Sequence, residues 1–312
     1  MLHPIAALVC CGLCFAQARA TNFCTIIPFI QVDDLILVEV TIDGKTGNFI
    51  VDTGAPTLFL NKKYFKGRIE NKEEQSWDIN GAVSFSEVYY TKKLQIQTFE
   101  KKKMAARVID LSHQEKAKNT VIYGVLGYDI FKNMELVFDF DKKELSLYKL
   151  DKKGNRLWKN DHSFDYPTDS FTLNMSRHIP FLVAFIDGKR LRLGIDSGAE
   201  MNILERDVFK NQSYLLDYQQ PVLVNGFSNR KKQVRTAALS NLEVEDATFK
   251  RMNFALMDLS LLQGHRGVKL DGMLGSNFLK SCRMSINYRK KKFYLWQTEN
   301  QQLAIRKVDA FR

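Results

Sequence analysis

The chain has 312 residues, 45% of them hydrophobic, and it carries a formal net charge of +11 at neutral pH. This length fits one large or two modest domains, and the apolar fraction is sufficient for ordinary buried cores. Basic chains can bind nucleic acid, but no nucleic-acid-binding motif accompanies the basic runs at residues 101–103, 230–232 and 289–292, which coincide with expected strand turns, so we expect no nucleic-acid partner.

Residues 1–20 are predicted to be a signal peptide. Residues 5–15 form an apolar run of suitable length, and Ala18-Arg19-Ala20 fits the small-x-small pattern of a cleavage site. The run is too short to span a bilayer as a helix, and no later segment reaches that length, so no transmembrane segment is expected in the mature chain. The pattern predicts export, with the protein periplasmic or secreted, and a buried N-terminal strand is the alternative.

The remaining sequence is predicted to be all-β. Short runs of β-branched and aromatic residues alternate with clusters of Gly, Asn, Asp and Lys, as at residues 35–42, 49–60 and 181–186. Brief helices are expected at residues 62–65, 129–133, 205–209 and 277–281.

A polar segment divides the chain into two halves. Residues 151–170, punctuated by Gly154 and Pro167, are predicted to be a linker. It separates an N-terminal lobe at residues 21–150 from a C-terminal lobe at residues 171–298, and residues 299–312 form a tail.

One signature occurs twice: an apolar strand followed by Asp, a hydroxyl residue, Gly and Ala. The copies are Asp52-Thr53-Gly54-Ala55 and Asp196-Ser197-Gly198-Ala199, at an offset of 196 − 52 = 144 residues. Further landmarks recur in the same order, and the offset has drifted only to 274 − 126 = 148 where Leu274-Gly275 matches Leu126-Gly127. This pattern indicates an internal duplication, and two copies predict paired lobes.

The paired motifs resemble those of the aspartic proteases, and are most similar to the retropepsin-like branch with its bacterial members. The resemblance covers residues 38–148 and 181–296. It implies two acid-protease-like β-barrel lobes related by a pseudo-twofold axis, with an active-site cleft between them. Such a chain is similar to a fused retropepsin dimer, so we expect a monomer, with a homodimer as the alternative.

The resemblance implies that Asp52 and Asp196 meet at the lobe interface as a catalytic dyad. Two carboxylates in hydrogen-bond contact cannot both ionise easily, so the pair holds one proton over a wide pH range. The ionised member takes a proton from a bound water, and the protonated member donates to the scissile carbonyl. The expected function is hydrolysis of a peptide or protein substrate, with no metal and no cofactor.

The resemblance also assigns roles to the neighbours of the dyad. Thr53 and Ser197 are expected to reach across the interface and join the two Asp loops through their hydroxyls. Gly54 and Gly198 would let backbone N–H groups approach the carboxylates, where a Cβ would interfere.

Two further pairs of motifs lie in register with the Asp loops. Leu126-Gly127 and Leu274-Gly275 are expected to pack against the loops, because glycine permits close passage of another backbone. Asn80-Gly81 and Asn225-Gly226 suit hairpin tips and follow each Asp by 28 and 29 residues (80 − 52 and 225 − 196). They are candidate flaps over the cleft, and an ordinary hairpin turn outside the cleft is the alternative.

The residues after each Gly are candidates for substrate binding. Ala55 and Ala199 stand where pepsin-like enzymes usually carry a hydroxyl that stabilises the ionised carboxylate, so a mildly acidic pH optimum is predicted. Glu200 could hold the substrate backbone, as an acidic residue does in retropepsins, or it could be a surface carboxylate. Pro56 at the equivalent position cannot do so.

Two alternatives to a protease remain open on the sequence alone. One is a binding protein for a peptide or a cell-envelope polymer that keeps the cleft but cleaves nothing. The other is a structural dimerisation module with a buried Asp pair, although unpaired buried carboxylates are costly. Cys24 and Cys282 could form a disulfide or remain two free, buried thiols.

Overall fold

The computed structural model describes residues 23–78, 81–157, 166–225, 231–260, 269–297 and 305–307. The predicted signal peptide lies outside these residues. Within the described ranges, no helix is long and apolar enough to cross a membrane. Strands predominate strongly over helices, which confirms the predicted all-β class.

The elements of the N-terminal half are, in chain order, β1 (Cys24–Val32), β2 (Leu35–Ile42), β3 (Lys45–Val51), β4 (Phe59–Asn61), β5 (Arg68–Asp78), β6 (Gly81–Ile96), β7 (Phe99–Ile109), α1 (Ser112–Lys118), β8 (Gly124–Leu126), α2 (Tyr128–Phe131), β9 (Met134–Asp139) and β10 (Glu144–Lys149).

The elements of the C-terminal half are β11 (Asp169–Thr172), β12 (Asn174–Ser176), β13 (Ile179–Ile186), β14 (Lys189–Ile195), β15 (Asn202–Glu205), a 3-10 helix (Ser213–Leu215), β16 (Asp217–Asn225), β17 (Lys231–Val244), β18 (Ala247–Met257), β19 (Gly272–Leu274), α3 (Ser276–Leu279), β20 (Arg283–Asn287), β21 (Lys292–Trp296) and β22 (Ile305–Lys307).

Six strands of the N-terminal half close into a barrel. Their order is β2, β3, β8, β4, β7 and β6, and β6 pairs back onto β2. Two of the neighbouring pairs are parallel, β3 with β8 and β4 with β7. Apolar side chains from several strands, including Val40, Phe49 and Leu94, fill its core.

The C-terminal half repeats this barrel strand for strand. The order is β13, β14, β19, β15, β18 and β17, and β17 closes the ring by pairing with β13. The parallel pairs recur as β14 with β19 and β15 with β18. Two closed six-stranded barrels confirm the predicted pair of equivalent lobes.

An Asp-Gly dipeptide makes the same hairpin turn in both barrels, between β2 and β3 and between β13 and β14. Asp43 and Gly44 have φ values of 50° and 83°, and Asp187 and Gly188 have values of 49° and 73°. The tight turn that matches hairpin twist needs positive φ at both central residues, which Asp-Gly tolerates well. The turn fixes the register of the strand that leads into each Asp loop.

A six-stranded interlobe sheet joins the barrels, and each half supplies three of its strands. The order is β11, β21, β20, β9, β10 and β1, so the two halves meet at the antiparallel pair of β20 and β9. One hydrophobic core runs from the first barrel through this sheet into the second. The lobes therefore share backbone hydrogen bonds as well as apolar contacts.

The pseudo-twofold axis can be located within this sheet. The repeat offset relates Val137 to Ser285 (285 − 137 = 148), and these two residues are partners in the ladder between β9 and β20. The flanking pairs, Leu136 with Ile286 and Phe138 with Met284, exchange under the same offset. The axis therefore passes between Val137 and Ser285.

A buried polar network attaches the chain after β10 to the interlobe sheet. Glu135 accepts hydrogen bonds from Ser285 Oγ and Asn287 Nδ2, both at 2.9 Å, and it pairs with Arg156. Asn287 Nδ2 also donates to the carbonyl oxygen of Gly154 at 2.9 Å. Both oxygens of the buried carboxylate thus have partners, which offsets the cost of removing it from water.

Two of the four predicted helices form, as α2 and α3, and the other two predictions are wrong. The chain near residues 62–65 and 205–209 makes single turns instead. In the first, Phe65 N–H donates to the carbonyl of Asn61 at 3.0 Å, but no further turn follows. One turn fixes many dihedral angles for one hydrogen bond, so it does not propagate without support.

Cys24 and Cys282 are both buried thiols with no disulfide between them, which is the second of the two alternatives left open by the sequence. Strand β11 begins at Asp169, inside the predicted linker, and β22 in the predicted tail pairs with β18. The boundaries of linker, lobes and tail stay predictions.

Candidate active site

Asp52 and Asp196 occupy equivalent loops, each directly after a barrel strand. Asp52 follows β3 and Asp196 follows β14. The N–H of Asp52 donates to the carbonyl of Leu126 at 3.0 Å, and the N–H of Asp196 donates to that of Leu274 at 3.0 Å. The parallel neighbour strand therefore holds each Asp loop at its first residue.

The glycines of the two Leu-Gly pairs lie against the backbone of the Asp loops. A Cβ on Gly127 would lie 2.7 Å from the carbonyl oxygen of Ala55, and one on Gly275 would lie 2.6 Å from that of Ala199. Such distances are shorter than real Cβ contacts, so a larger residue would displace the loop. The glycines of both pairs therefore lie beside the Asp loops.

Four hydrogen bonds join the two Asp loops across the lobe interface. Thr53 Oγ1 donates to the carbonyl of Ile195 at 2.9 Å and accepts from Ser197 N–H at 3.0 Å. Ser197 Oγ donates to the carbonyl of Val51 at 2.8 Å and accepts from Thr53 N–H at 3.0 Å. We call these four bonds the loop grip. Thr53 and Ser197 are fully buried, so solvent does not compete with the bonds.

The grip brings each glycine against the carboxylate of the opposite lobe. A Cβ on Gly54 would lie 2.6 Å from Cγ of Asp196, and a Cβ on Gly198 would lie 2.5 Å from Cγ of Asp52. The N–H groups of Gly54 and Ala55 both donate to Asp52 Oδ1 at 2.8 Å, and Gly198 N–H donates to Asp196 Oδ1 at 2.9 Å. Each carboxylate is thus oriented by its own loop.

The two carboxyl groups interact directly, and each lies against the glycine of the opposite loop. Burial, the charge of Asp196 and the hydrogen bond to it raise the pKa of Asp52 well above its ordinary value. Burial also raises the pKa of Asp196, against the hydrogen bonds that it accepts. Asp52 is 5% exposed, and Asp196 keeps partial access to solvent. Such a pair can retain one proton where isolated carboxyl groups are ionised.

Ala55 and Ala199 offer the carboxylates their backbone N–H groups and no hydroxyl.

An apolar cluster separate from the main core adjoins each half of the site, and the two clusters are built from equivalent positions such as Val125 and Met273. The N-terminal cluster contains Ala55 itself, and the C-terminal cluster has the partly buried Met201 packed on it. Apolar side chains therefore lie beside both Asp loops.

Glu200 already has a partner. Its Oε1 lies 2.7 Å from Nζ of Lys118 in the other lobe, and the same ammonium lies 2.7 Å from Oδ2 of Asp33. The Lys118 side chain is 5% exposed, whereas that of Glu200 is 35% exposed. Contact of Glu200 with a substrate backbone stays a prediction, and a substrate would have to compete with Lys118.

The candidate flaps lie at the ends of two hairpins. Strands β5 and β6 pair as far as Asp78 and Gly81, and β16 and β17 pair as far as Asn225 and Lys231. Gly81 is the first residue of β6, whereas Gly226 lies outside the described residues. The flap role of both hairpins stays a prediction.

The sequence reasoning missed His178, which lies in the turn between β12 and β13. Its Nε2 is 2.8 Å from the carbonyl oxygen of Gly54, so the C-terminal lobe contacts the Asp52 loop through this ring. The offset of 144 aligns His178 with Asp34 (178 − 34 = 144) in the turn between β1 and β2, but the two residues are unlike and the alignment gives no sign of the contact with Gly54.

In the part of the chain that the structure describes, no group of three or more His, Cys, Asp or Glu side chains is arranged to hold a metal ion.

A family model described as aspartyl protease matches residues 38–130 and 183–278, more than half of the chain. Each match covers most of one barrel and contains one Asp loop. The chain therefore belongs to the aspartyl protease family.

The fold is similar to that of an aspartic proteinase from Irpex lacteus, known from a crystal structure. The TM-score is 0.56 at 13% sequence identity, and the match covers 90% of this chain and 99% of that chain. At this identity the likeness concerns the fold alone. The search of curated proteins found no match.

Proposed function

We propose that this protein is an exported aspartic endopeptidase in which Asp52 and Asp196 activate a water molecule. The observation that carries the proposal is that each Asp carboxyl lies against the glycine of the opposite loop, so that two carboxyl groups interact and both of their pKa values are raised. A purely structural role for the two Asp residues would explain why they are buried, but it would not explain why Asp196 stays partly accessible to solvent. Family membership supports a protease.

The dyad can supply both proton transfers that amide hydrolysis needs. The ionised member accepts a proton from water as the oxygen attacks the scissile carbonyl carbon, and the protonated member donates to the carbonyl oxygen. The Asp that took the proton from water then donates it to the departing nitrogen, while the other Asp takes a proton from one hydroxyl of the gem-diol. The C–N bond breaks to give a carboxylic acid and an amine, and the dyad again holds one proton. The titration belongs to the pair as a whole, so neither Asp is assigned the acid in advance.

Apolar side chains beside both Asp loops support binding of substrate residues on either side of the scissile bond. We propose that peptide side chains occupy the space next to the clusters around Val125 and Met273. Burial of apolar substrate surface there contributes about 25 cal/mol per Å².

The test compares Asp52→Asn and Asp196→Asn with the wild type on a mixed peptide library between pH 4 and pH 7. We expect either change to lower kcat by about 10²–10⁴-fold, because each removes a group that transfers a proton. Asp110→Asn is the matched control, since Asp110 is an exposed carboxylate that pairs with Lys62. We also expect the wild-type optimum to be mildly acidic and the activity to be blocked by pepstatin.

Peptide binding without cleavage by the wild type would instead support a non-catalytic binding protein. Loss of activity in Asp110→Asn as well would mean that the assay reports folding and not the dyad. Export is tested separately by sequencing the amino terminus of the protein from its own cells, where Thr21 is the expected first residue. An intact Met1 in the recovered protein would contradict export through cleavage of residues 1–20.

A further inference from the structure

His178 connects to the Asp52 carboxylate through a single peptide group. The ring nitrogen Nε2 lies 2.8 Å from the carbonyl oxygen of Gly54. The N–H of the same peptide group belongs to Ala55 and donates to Asp52 Oδ1 at 2.8 Å. A carbonyl oxygen only accepts, so Nε2 must carry a proton and donate.

Hydrogen bonds in such a chain strengthen one another, because a peptide that accepts at its oxygen becomes a better donor at its nitrogen. The His178 donor therefore favours the ionised form of the Asp52 carboxylate, and it fixes the Gly54–Ala55 peptide that orients this carboxylate.

The equivalent contact is missing on the other side of the pseudo-twofold axis. The residue that aligns with His178 is Asp34, whose carboxylate pairs with Lys280. An ionised carboxylate cannot donate to a carbonyl. The Gly198–Ala199 peptide, whose N–H also supports the Asp196 carboxylate, receives no such bond from Asp34.

We propose that His178 is a positioning residue that holds the Gly54–Ala55 peptide against Asp52 and thereby makes the two halves of the dyad unequal. This inference rests on the proposed function. His178 does not touch the reacting atoms and acts through the Asp52 loop.

The charges that face His178 are those of Arg177, Asp196 and Asp129. Burial lowers the pKa of His178, and the nearby Arg177 acts in the same direction, against the hydrogen bond to Gly54 and the two carboxylates. The donor role needs only a proton on Nε2, so it persists when the ring is neutral.

Two variants of His178 and one matched control test the proposal in the purified full chain. His178→Leu removes the donor, and His178→Gln retains an N–H donor on a flexible side chain. Asp34→Ala is the control, because it removes an interlobe contact at the equivalent position without touching an Asp loop. The substrate is a fluorogenic peptide taken from the cleaved members of the library.

We expect His178→Leu to lower kcat about 10-fold, with KM changed less than about twofold, since a 1 Å misplacement can cost about 10²-fold. The acid limb of its pH–rate profile should move to higher pH, because the Asp52 anion has lost support. His178→Gln should recover most of the activity, and Asp34→Ala should leave kcat and the acid limb unchanged.

A second readout does not depend on activity: ¹³C NMR of the Asp carboxyl carbons follows titration of the dyad directly. His178→Leu should raise the lower apparent pKa of the pair. Titration curves that superimpose on the wild type would overturn the proposal, and so would equal losses in the Gln and Leu variants. An inactive wild type with a shifted titration in His178→Leu would refute the proposed function and leave the positioning role standing.

Discussion

The β1–β2 turn and the β12–β13 turn have matching backbone conformations, but their side chains make different kinds of contact with the other lobe. Asp33 and Arg177 occupy equivalent positions with φ values of 52° and 58°. The next residues are Asp34, which pairs with Lys280 across the interface, and His178, which contacts Gly54. Duplication thus preserved the turn, while substitution gave one side a salt bridge and the other a neutral hydrogen bond to an Asp loop.

The same contrast extends to the residues that follow the Asp loops. Glu200 in the C-terminal lobe reaches Lys118, which also binds Asp33, whereas the equivalent residue in the N-terminal lobe is Pro56. One side of the interface therefore carries a chain of charges between the lobes. The loop grip, by contrast, is symmetric, since Thr53 and Ser197 make matching bonds.

The largest effect on the free energy of unfolding is expected from changes in the loop grip, which is the symmetric part of the interface. Thr53→Val and Ser197→Ala each leave one N–H and one C=O buried without a partner. Such groups cost about 1–3 kcal/mol each, so each variant should lower the free energy of unfolding by about 2–6 kcal/mol. Urea unfolding measures both values. Thr41→Val is the control, because it removes an exposed hydroxyl pair with Thr46 and should change little. A large loss in only one of the two grip variants would show that the halves do not contribute equally.

The next prediction concerns the dyad, where substitution is expected to raise the free energy of unfolding instead of lowering it. The folded-state pKa of Asp52 is raised, so the native pair binds more protons than the unfolded chain once the pH exceeds the ordinary carboxyl range. The stability contributed by this bound proton is fully present at low pH, and it is lost as the pH rises through the raised pKa of the folded state. Asp52→Asn and Asp196→Asn should therefore unfold at higher urea concentration than the wild type at pH 7.

The gain in those variants should shrink towards pH 3, where both wild-type carboxyl groups are protonated. Urea unfolding at several pH values provides the test. A wild type whose stability does not fall between pH 4 and pH 7, or variants that are less stable at pH 7, would contradict a proton shared in the folded state.

The smallest effect is expected from the asymmetric charges. Lys118→Met removes a buried cation but leaves Asp33 and Glu200 partly exposed, so we expect a loss of about 1 kcal/mol in the free energy of unfolding. Lys62→Met is the control, since its pair with Asp110 is exposed within one lobe and should contribute close to nothing. Equal losses in the two variants would remove the distinction between the interlobe pair and an ordinary surface pair. Unfolding at low and at 1 M salt measures both.

The internal duplication was sufficient to predict the paired lobes, and the resemblance to aspartic proteases predicted that each lobe is a β-barrel. It also predicted which residues surround the two Asp loops. Helix α1 was missed because its buried residues are the polar Gln114 and Glu115, which leave no apolar periodicity to detect. Lys118 and His178 were missed because their contacts join residues 82 and 124 positions apart (200 − 118 and 178 − 54), and no local pattern encodes such pairs.

The position of the pseudo-twofold axis has a consequence for the order of events during synthesis. Val137 and Ser285 can pair only after the last strands of the second barrel exist, and the same delay applies to the grip bonds, which span at least 142 residues. Contacts this distant in sequence form late, since the loop between them must close first. A ribosome-bound chain that has completed only its first barrel has one Asp loop and no opposite carboxyl, so the proposed hydrolytic capacity arises only once almost the whole molecule has been made.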